Sequence, residues 1–260
     1  MKNHRAPIQF MTFIIFWLLS PQAYSIVNVE DIHLGKPNEG YGGTVLLGVD
    51  GDQGNTDRFR GHFGSRIQHV GDDVTRFIAL NLDYGESRGV EDKNRSFLHA
   101  RQISIFRADM AWEIFAQAEH NRFSRLAFRG LAGGGLRFGF GEEKQNRITY
   151  LGAGAFFSQE SLEKVAGTND DAIQNITRAN LYLVHKQKIG DKLTLFSTTY
   201  MQPSFEDPGD FRLLEDAGLS LGLSDRLSLV LTLNLFHDNL PPQTVKKTDI
   251  SYKTSIAYRF

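Results

Sequence analysis

The chain has 260 residues with a formal net charge of -1, and it contains no cysteine. Disulfide bonds, zinc–thiolate sites, thiol catalysis and a lipidated N-terminal cysteine are therefore excluded. The mean hydropathy is -0.30, and after the first 25 residues no apolar run approaches the length of a membrane-spanning helix. Basic residues are dispersed along the chain and form no basic stripe, so no nucleic-acid partner is predicted.

Residues 1–25 are typical of a secretory signal peptide. Lys2, His4 and Arg5 precede an apolar stretch from Ile8 to Leu19, and small residues at Ala23 and Ser25 suit cleavage following Ser25. A spanning helix needs roughly 20 apolar residues, so an uncleaved anchor is the weaker alternative. We expect residues 26–39 to form a short periplasmic segment and residues 40–260 to form the folded domain.

From residue 40 onward, apolar and polar residues alternate, as in strands with one face toward lipid and the other toward a polar lumen. The alternation is clearest in the last segment, where Ile250, Tyr252, Ile256, Tyr258 and Phe260 share one parity. The pattern predicts twelve strands near residues 40–50, 58–70, 74–84, 95–107, 111–120, 125–140, 147–158, 176–188, 193–202, 211–223, 227–235 and 250–260.

The connections between these segments alternate in length. Those after every second segment are short, as at 71–73 and 224–226, while most others are longer and more polar, as at 85–94 and 159–175. This alternation predicts an all-β fold, a closed antiparallel transmembrane β-barrel of about 12 strands with both termini periplasmic. The connection at residues 120–124 is shorter than an outer loop is expected to be. In several middle segments it is unclear which alternate residues form the apolar face, so 10 or 14 strands remain alternatives.

A soluble β-sandwich is the structural alternative, because it also alternates faces. Aromatic residues at segment ends favour the barrel, since they suit an interfacial girdle. They are Tyr84, Trp112, Phe140, Tyr150 and Tyr258. A hydrophobic edge strand ending on Phe260 would be an aggregation hazard in a soluble protein.

Three runs resemble the YdiY-like family of salt-induced outer-membrane proteins. They are Gly54 to Asp57, Trp112 to Arg129, and Gly133 to Phe138. The segment from Ser251 to Phe260 also looks like the C-terminal signal read by the barrel-assembly machinery, with Tyr258 and Phe260 as its key residues. The resemblance implies an outer-membrane barrel of unsettled function, whose partners are outer-membrane lipid, lipopolysaccharide and, during biogenesis, that machinery.

Charge is divided unevenly along the chain. The proposed outer loops at 50–57, 85–94, 159–175 and 203–210 contain thirteen acidic and three basic residues, which leaves the strands basic. The arginines expected on the lumen face form either a charged pore lining or an internal salt-bridge network with acidic partners. The candidates are Arg60, Arg66, Arg129, Arg137, Arg178, Arg212, Arg259, Asp83, Glu113, Glu119, Asp216 and Asp249.

Evidence for chemistry in the sequence is weak. The acidic stretch at 50–57 lacks the closing bidentate glutamate of a calcium loop, and a turn-rich hairpin explains it, so no metal or cofactor is predicted. No histidine has a serine at the spacing used by outer-membrane phospholipases, and His237–Asp238 matches the pair of outer-membrane proteases only in two residues. We therefore predict a monomeric or weakly oligomeric, non-enzymatic barrel, either a narrow small-solute channel leaning toward anions or an envelope-maintenance protein linked to salt stress. A barrel lipase or protease acting at the outer rim is the alternative.

Overall fold

The computed structural model describes residues 39–54, 56–140 and 146–260, so the predicted signal peptide and most of the segment at 26–39 lie outside the described residues. Twelve strands dominate it, and a single turn of 3-10 helix follows the fifth, at Arg122–Ser124. The strands are β1 (Gly40–Asp52), β2 (Arg58–Val70), β3 (Val74–Ser87), β4 (Val90–Arg107), β5 (Met110–Asn121), β6 (Leu126–Phe140), β7 (Arg147–Leu162), β8 (Ile173–Ile189), β9 (Leu193–Pro203), β10 (Phe211–Gly222), β11 (Leu227–Asp238) and β12 (Thr248–Arg259).

The strands form one closed antiparallel barrel in which each strand pairs with its sequence neighbours and β1 pairs with β12. The prediction of twelve antiparallel strands in a closed barrel is confirmed. Both ends of the sheet, at Gly40 and Arg259, lie at the rim that carries the connections at 71–73, 108–109, 190–192 and 223–226. We call this end the short-turn rim and the opposite end the long-loop rim.

The predicted outer loop at 85–94 is wrong. Strands β3 and β4 continue through it and meet in a two-residue turn at Arg88 and Gly89, whose φ values are 52° and 75°. Positive φ at both central residues is the geometry of a tight type I′ hairpin. The polar residues of this stretch lie in paired strands and not in a loop. Asp92 and Lys93, for example, belong to β4.

Side chains divide between two faces as the alternation predicted. Large apolar residues such as Ile78, Trp112, Leu181 and Ile256 are exposed on the outside, while the lumen contains buried charged residues together with aromatic residues such as Phe97 and Tyr182. An apolar exterior around a filled, polar interior is the architecture of a transmembrane β-barrel. Among residues 39–54, 56–140 and 146–260, no helix is long and apolar enough to cross a membrane.

Glu215 is an exception on the outward face of β10. Its carboxylate accepts hydrogen bonds from the hydroxyls of Ser197 and Thr199 on the neighbouring strand β9. Placing a carboxylate beside lipid costs free energy unless the carboxylate accepts hydrogen bonds. The hydroxyls of Ser197 and Thr199 donate such bonds from within the sheet.

Candidate functional site: two charged layers in the lumen

A chain of ion pairs crosses the lumen toward the long-loop rim, and we call it the paired layer. Glu119 of β5 accepts from Arg95 at 2.9 Å and from Arg129 at 3.1 Å. Glu160 of β7 accepts from Arg129 at 3.0 Å and from Arg212 at 2.7 Å. The six members alternate in charge and balance: Arg95, Arg129 and Arg212 against Glu119, Glu160 and Asp238.

The paired layer spans the barrel, because its members come from six strands. Arg95 and Arg129 lie on β4 and β6, whereas Arg212 lies on β10 and contacts Glu160 of β7. Asp238 of β11 then accepts from Arg212 at 2.8 Å. Buried charges need such partners, since an unpaired buried ion is strongly destabilising. This layer therefore braces the lumen and narrows it.

The loop at 239–247 closes over the paired layer. Gln243, at the middle of the loop, accepts a hydrogen bond from Arg125 on its carbonyl oxygen at 2.6 Å and donates its backbone N–H to Asp170 at 3.0 Å. Arg125 also donates to Asp170 at 2.6 Å. Arg125 follows β5 and Asp170 follows β7, on the side of the ring opposite β12. The loop thus crosses the mouth, and we call it the lid.

The lid leaves little free space below it. A cavity of about 40 Å³ lies between the paired layer and Pro241, Pro242 and Val245 of the lid. We call the contacts among Arg125, Asp170 and Gln243 the latch. The hydrogen bond from the Gln243 backbone, reinforced by Arg125, holds the pKa of Asp170 below its usual value, so this carboxylate stays charged to a lower pH than an ordinary aspartate.

A second layer, nearer the short-turn rim, contains arginines stacked on aromatic rings. The Phe77 ring lies 3.6 Å from Cζ of Arg66 and 5.9 Å from Cζ of Arg101. The Tyr182 ring lies 5.8 Å from Cζ of Arg101 and 5.8 Å from Cζ of Arg137. Shared rings therefore link three guanidinium groups in a row from β2 to β6, and we call this row the arginine–aromatic belt.

The belt gathers basic side chains in the lumen. Glu113 accepts from Arg101 at 3.5 Å, and Lys186 is buried on the same strand as Tyr182. The three guanidinium groups are held by ring faces, hydroxyls and amides, as in the 3.8 Å approach of Arg137 to the Tyr150 ring and the bond from Arg66 to Gln68. Ring faces attract cations, so cation–ring contacts hold the belt in place alongside its hydrogen bonds.

Tyr150 is therefore not part of the outer girdle, and that prediction is wrong. Its ring faces the lumen beneath Arg137, because β7 places Tyr150, Gly152 and Gly154 on one parity. Gly152 makes room for the belt: a Cβ atom there would lie 2.0 Å from the Tyr182 ring. A cavity of about 60 Å³, bordered by Arg101, Phe115 and Arg212, lies between the two layers.

The other predicted lumen residues fall in separate places. Asp83 accepts from Lys253 at 2.9 Å and contacts His62 at 3.0 Å. Arg60 pairs with Asp92, and the almost fully buried Arg178 pairs with Asp210. Asp216 accepts from Asn234 at 2.5 Å, and Asp249 is buried.

Arg259 differs from the expectation. It is exposed at the short-turn rim, where it donates to the carbonyl oxygen of Asp225 at 2.8 Å, because β12 ends at this residue. It takes part in neither lumen layer.

Several important residues were not singled out by the sequence. Arg95, Arg101 and Lys253 share the parity of buried neighbours on their strands, and strict parity counting through 90–107 would have found the first two. Glu160 was assigned to an outer loop, whereas β7 continues to Leu162 and turns the Glu160 carboxylate inward.

The protease-like pair is also separated by the fold. Asp238 faces the lumen and binds Arg212, while His237 contacts the hydroxyl of Thr248 at 2.8 Å and the ring of Phe211. Consecutive strand residues point to opposite faces, so the two cannot act on one substrate atom. In the part of the chain that the structure describes, no group of three histidine or acidic residues could hold a metal ion.

Comparison with solved structures finds proteins that share the closed β-barrel fold of this chain. The NanC porin aligns with a TM-score of 0.51 at 6% identity, over 84% of this chain and 98% of that one. The KdgM porin in complex with disordered oligogalacturonate aligns at 0.47 and 9% identity, covering 84% and 99%. The translocator domain of autotransporter NalP from Neisseria meningitidis aligns at 0.44 and 13% identity, covering 87% and 91%. At these identities the likeness shows the fold alone.

The chain belongs to the family described as "Protein of unknown function, DUF481", which matches residues 45–260. This match confirms the resemblance to the YdiY-like outer-membrane proteins. No curated protein sequence matches the chain.

Proposed function

We propose that this protein is a narrow outer-membrane channel for small solutes that favours anions and is closed at its mouth by the lid. The observation that carries the proposal is the arginine–aromatic belt, which places the guanidinium groups of Arg66, Arg101 and Arg137 together in the lumen, whereas the connections at the long-loop rim are rich in acidic residues. Fixed charge of one sign in a narrow passage raises the local concentration of the opposite ion.

The outer-membrane location is supported by the outward apolar side chains and the closed sheet. A signal peptide cleaved following Ser25 would deliver the chain to the periplasm, with the short-turn rim remaining on that side. The acidic residues of the connections then face the outside, and an anion would reach the belt after passing the lid and the balanced paired layer.

The lid implies that conduction is gated. Its latch depends on Arg125, which contacts both Asp170 and the Gln243 carbonyl. Without that guanidinium the lid loses its hydrogen bond to the far side of the same rim, so the mouth should open more often.

Conductance in a planar lipid bilayer tests the proposal. Arg125→Gln should give a larger open fraction than the wild-type barrel. The control is Arg122→Gln in the same turn, whose exposed side chain pairs with Glu91; it should behave like wild type. Absence of conductance in wild type and in Arg125→Gln would contradict a channel.

A second candidate is a non-conducting barrel that maintains the envelope, including under salt stress as the family resemblance implies. The observation favouring it is the paired layer, whose six balanced ions cross the lumen. The same bilayer measurement separates the two candidates, because a braced barrel stays closed when the latch is removed.

A further inference from the structure

Backbone pairing between the first and last strands covers only part of their length. β12 pairs with β1 from Thr44↔Arg259 to Leu47↔Ile256, and Gly43 and Phe260 exchange two further hydrogen bonds of 3.0 Å. Beyond Leu47, β1 continues to Asp52 against β2 alone, and the first half of β12 pairs with β11 alone. The shortest other pairing, between β8 and β9, covers nine residues on each strand.

The unpaired part of this seam borders the outer surface of the barrel. Its outward side chains are apolar and open, with Tyr252 85% exposed, Val49 73% and Ile250 45%. Backbone N–H and C=O groups in the hydrocarbon region must find partners, because each unsatisfied group costs several kcal/mol. Strand edges in the long-loop half of the seam can therefore bind a partner that forms hydrogen bonds within the membrane.

An apolar trough on the outer surface leads to the same place. It has a volume of about 690 Å³ and is bordered by Leu195, Leu219, Leu231 and Leu233, with Ala217 and Gly218 among its lining residues. The trough runs across β9, β10 and β11 and reaches β12 at residues 252–254, which belong to the unpaired edge.

On the lumen side an ion pair spans the seam. Lys253 of β12 reaches over β1 and β2 to Asp83 of β3, with Nζ 2.9 Å from Oδ1 and 3.3 Å from Oδ2. Asp83 also contacts His62 of β2 and, at 3.8 Å, Lys93 of β4. At Gly48 the first strand approaches the last one closely, because a Cβ atom there would lie 2.7 Å from the Thr254 carbonyl oxygen.

We propose that this seam is a lateral binding site for one acyl chain of an amphipathic lipid, whose amide, ester or hydroxyl groups bond the free strand edges. The chain lies in the trough, and separation of Lys253 from Asp83 gives it access to the lumen. A strand of another protein would follow the edge, whereas the trough runs across the strands and is apolar, which favours an acyl chain. The site is independent of conduction along the barrel axis.

Photolabelling tests the site directly. The barrel is placed in nanodiscs that contain phosphatidylethanolamine with a diazirine in its acyl chain, and labelled peptides are mapped by mass spectrometry. Labelling should be severalfold higher on the trough and on lumen-facing Ser251 and Ser255 than on outward faces elsewhere. Ala217→Leu, which fills the trough, should reduce it severalfold, and Ala116→Leu on the outward face of β5 should not. Even labelling around the barrel, or labelling unchanged by Ala217→Leu, would overturn the site.

A crosslink separates lateral access from surface binding. The chain has no cysteine, so Val49→Cys with Thr254→Cys can close the seam, while Leu47→Cys with Ile256→Cys links residues already paired. After oxidation, the crosslink between positions 49 and 254 should abolish labelling of Ser251 and Ser255, and reduction should restore that labelling. The crosslink between the residues already paired should leave the labelling of both serines unchanged. Heat-dependent gel mobility verifies that each variant is folded. Lumen labelling that persists after the first crosslink would overturn lateral access, whether or not the barrel conducts.

Discussion

Arg212 of β10 and Glu160 of β7 meet across the lumen in a bidentate pair, with hydrogen bonds of 2.7 Å and 3.1 Å. Because the strands are three positions apart in the ring, this contact ties together two parts of the wall that are not neighbours in the sheet. Glu160→Gln leaves the Arg212 and Arg129 guanidinium groups short of a counter-charge. We expect it to lower the free energy of unfolding by about 3 to 5 kcal/mol, as for a broken buried pair.

The temperature at which the folded band converts to the slow-migrating unfolded band in gel electrophoresis measures this effect. The control is Glu91→Gln, which removes the exposed pair with Arg122 and should change stability by less than about 1 kcal/mol. Equal shifts for both variants would show that the paired layer does not brace the barrel.

The lid should release in acid. The hydrogen bond from Gln243, together with Arg125, lowers the pKa of Asp170, so its contribution is complete above the ordinary aspartate pKa of about 3.9 and is lost as pH falls through the lower folded value. Open probability in a planar bilayer should therefore rise only below about pH 4. Asp170→Asn should raise it at neutral pH and remove the acid step.

Asp171→Asn is the matched control for the lid, because its exposed side chain is the next residue in the same loop. It should retain the acid step of wild type. An acid step that survives in Asp170→Asn would assign the release to another group.

Gly152 is expected to be intolerant of a side chain. In Gly152→Ala the new methyl group would overlap the Tyr182 ring, which lies 2.0 Å from its position, and ring displacement would disturb Arg101 and Arg137. We expect a loss of about 1 to 3 kcal/mol, as for overpacking, in the same gel assay. Gly61→Ala is the comparison, since its nearest neighbour is the Phe59 ring at 3.6 Å; a similar loss there would mean that the clash is not specific to the belt.

Phe260 should be needed for assembly. It ends the last outward-facing row, and its backbone closes the barrel through two hydrogen bonds to Gly43. Phe260→Ser should reduce the amount of barrel in the outer membrane and leave unassembled chains in the periplasm, measured by fractionation. Phe205→Ser changes an exposed phenylalanine in a connection and should assemble normally. Normal assembly of Phe260→Ser would show that the last residue is not a recognition element.

The strands were predictable from the sequence because lipid enforces the alternation: β2 was predicted at 58–70 and spans Arg58–Val70. The ends of the strands at the long-loop rim were not predictable. A strand can continue beyond the membrane there, and its polar residues, such as Glu160, still point into the lumen. Composition alone does not distinguish such a residue from one in a loop.

The sequence predicted that arginines and carboxylates would pair in the lumen, but not every contact that they make. Arg129 and Glu119 were both candidates and do pair at 3.1 Å, but the stacking of Arg66 on Phe77 depends on strand register across the sheet, which one sequence does not specify. The lid contact between Arg125 and Gln243 joins residues 118 positions apart. Local patterns carry no information on such a contact.

The reversal potential in a KCl gradient tests the central claim, that the belt makes the lumen select for anions. It is measured on the lid-released Asp170→Asn barrel, alone and with Arg66→Gln and Arg137→Gln together. Arg76→Gln is the control, because Arg76 is exposed and bonds Gln102. We predict anion selectivity that persists at about 0.15 M salt, where exposed loop charges are screened beyond roughly 8 Å, that falls in the belt variant, and that is unchanged in Arg76→Gln. Cation selectivity, or anion selectivity unaffected by the belt substitutions, would contradict the account.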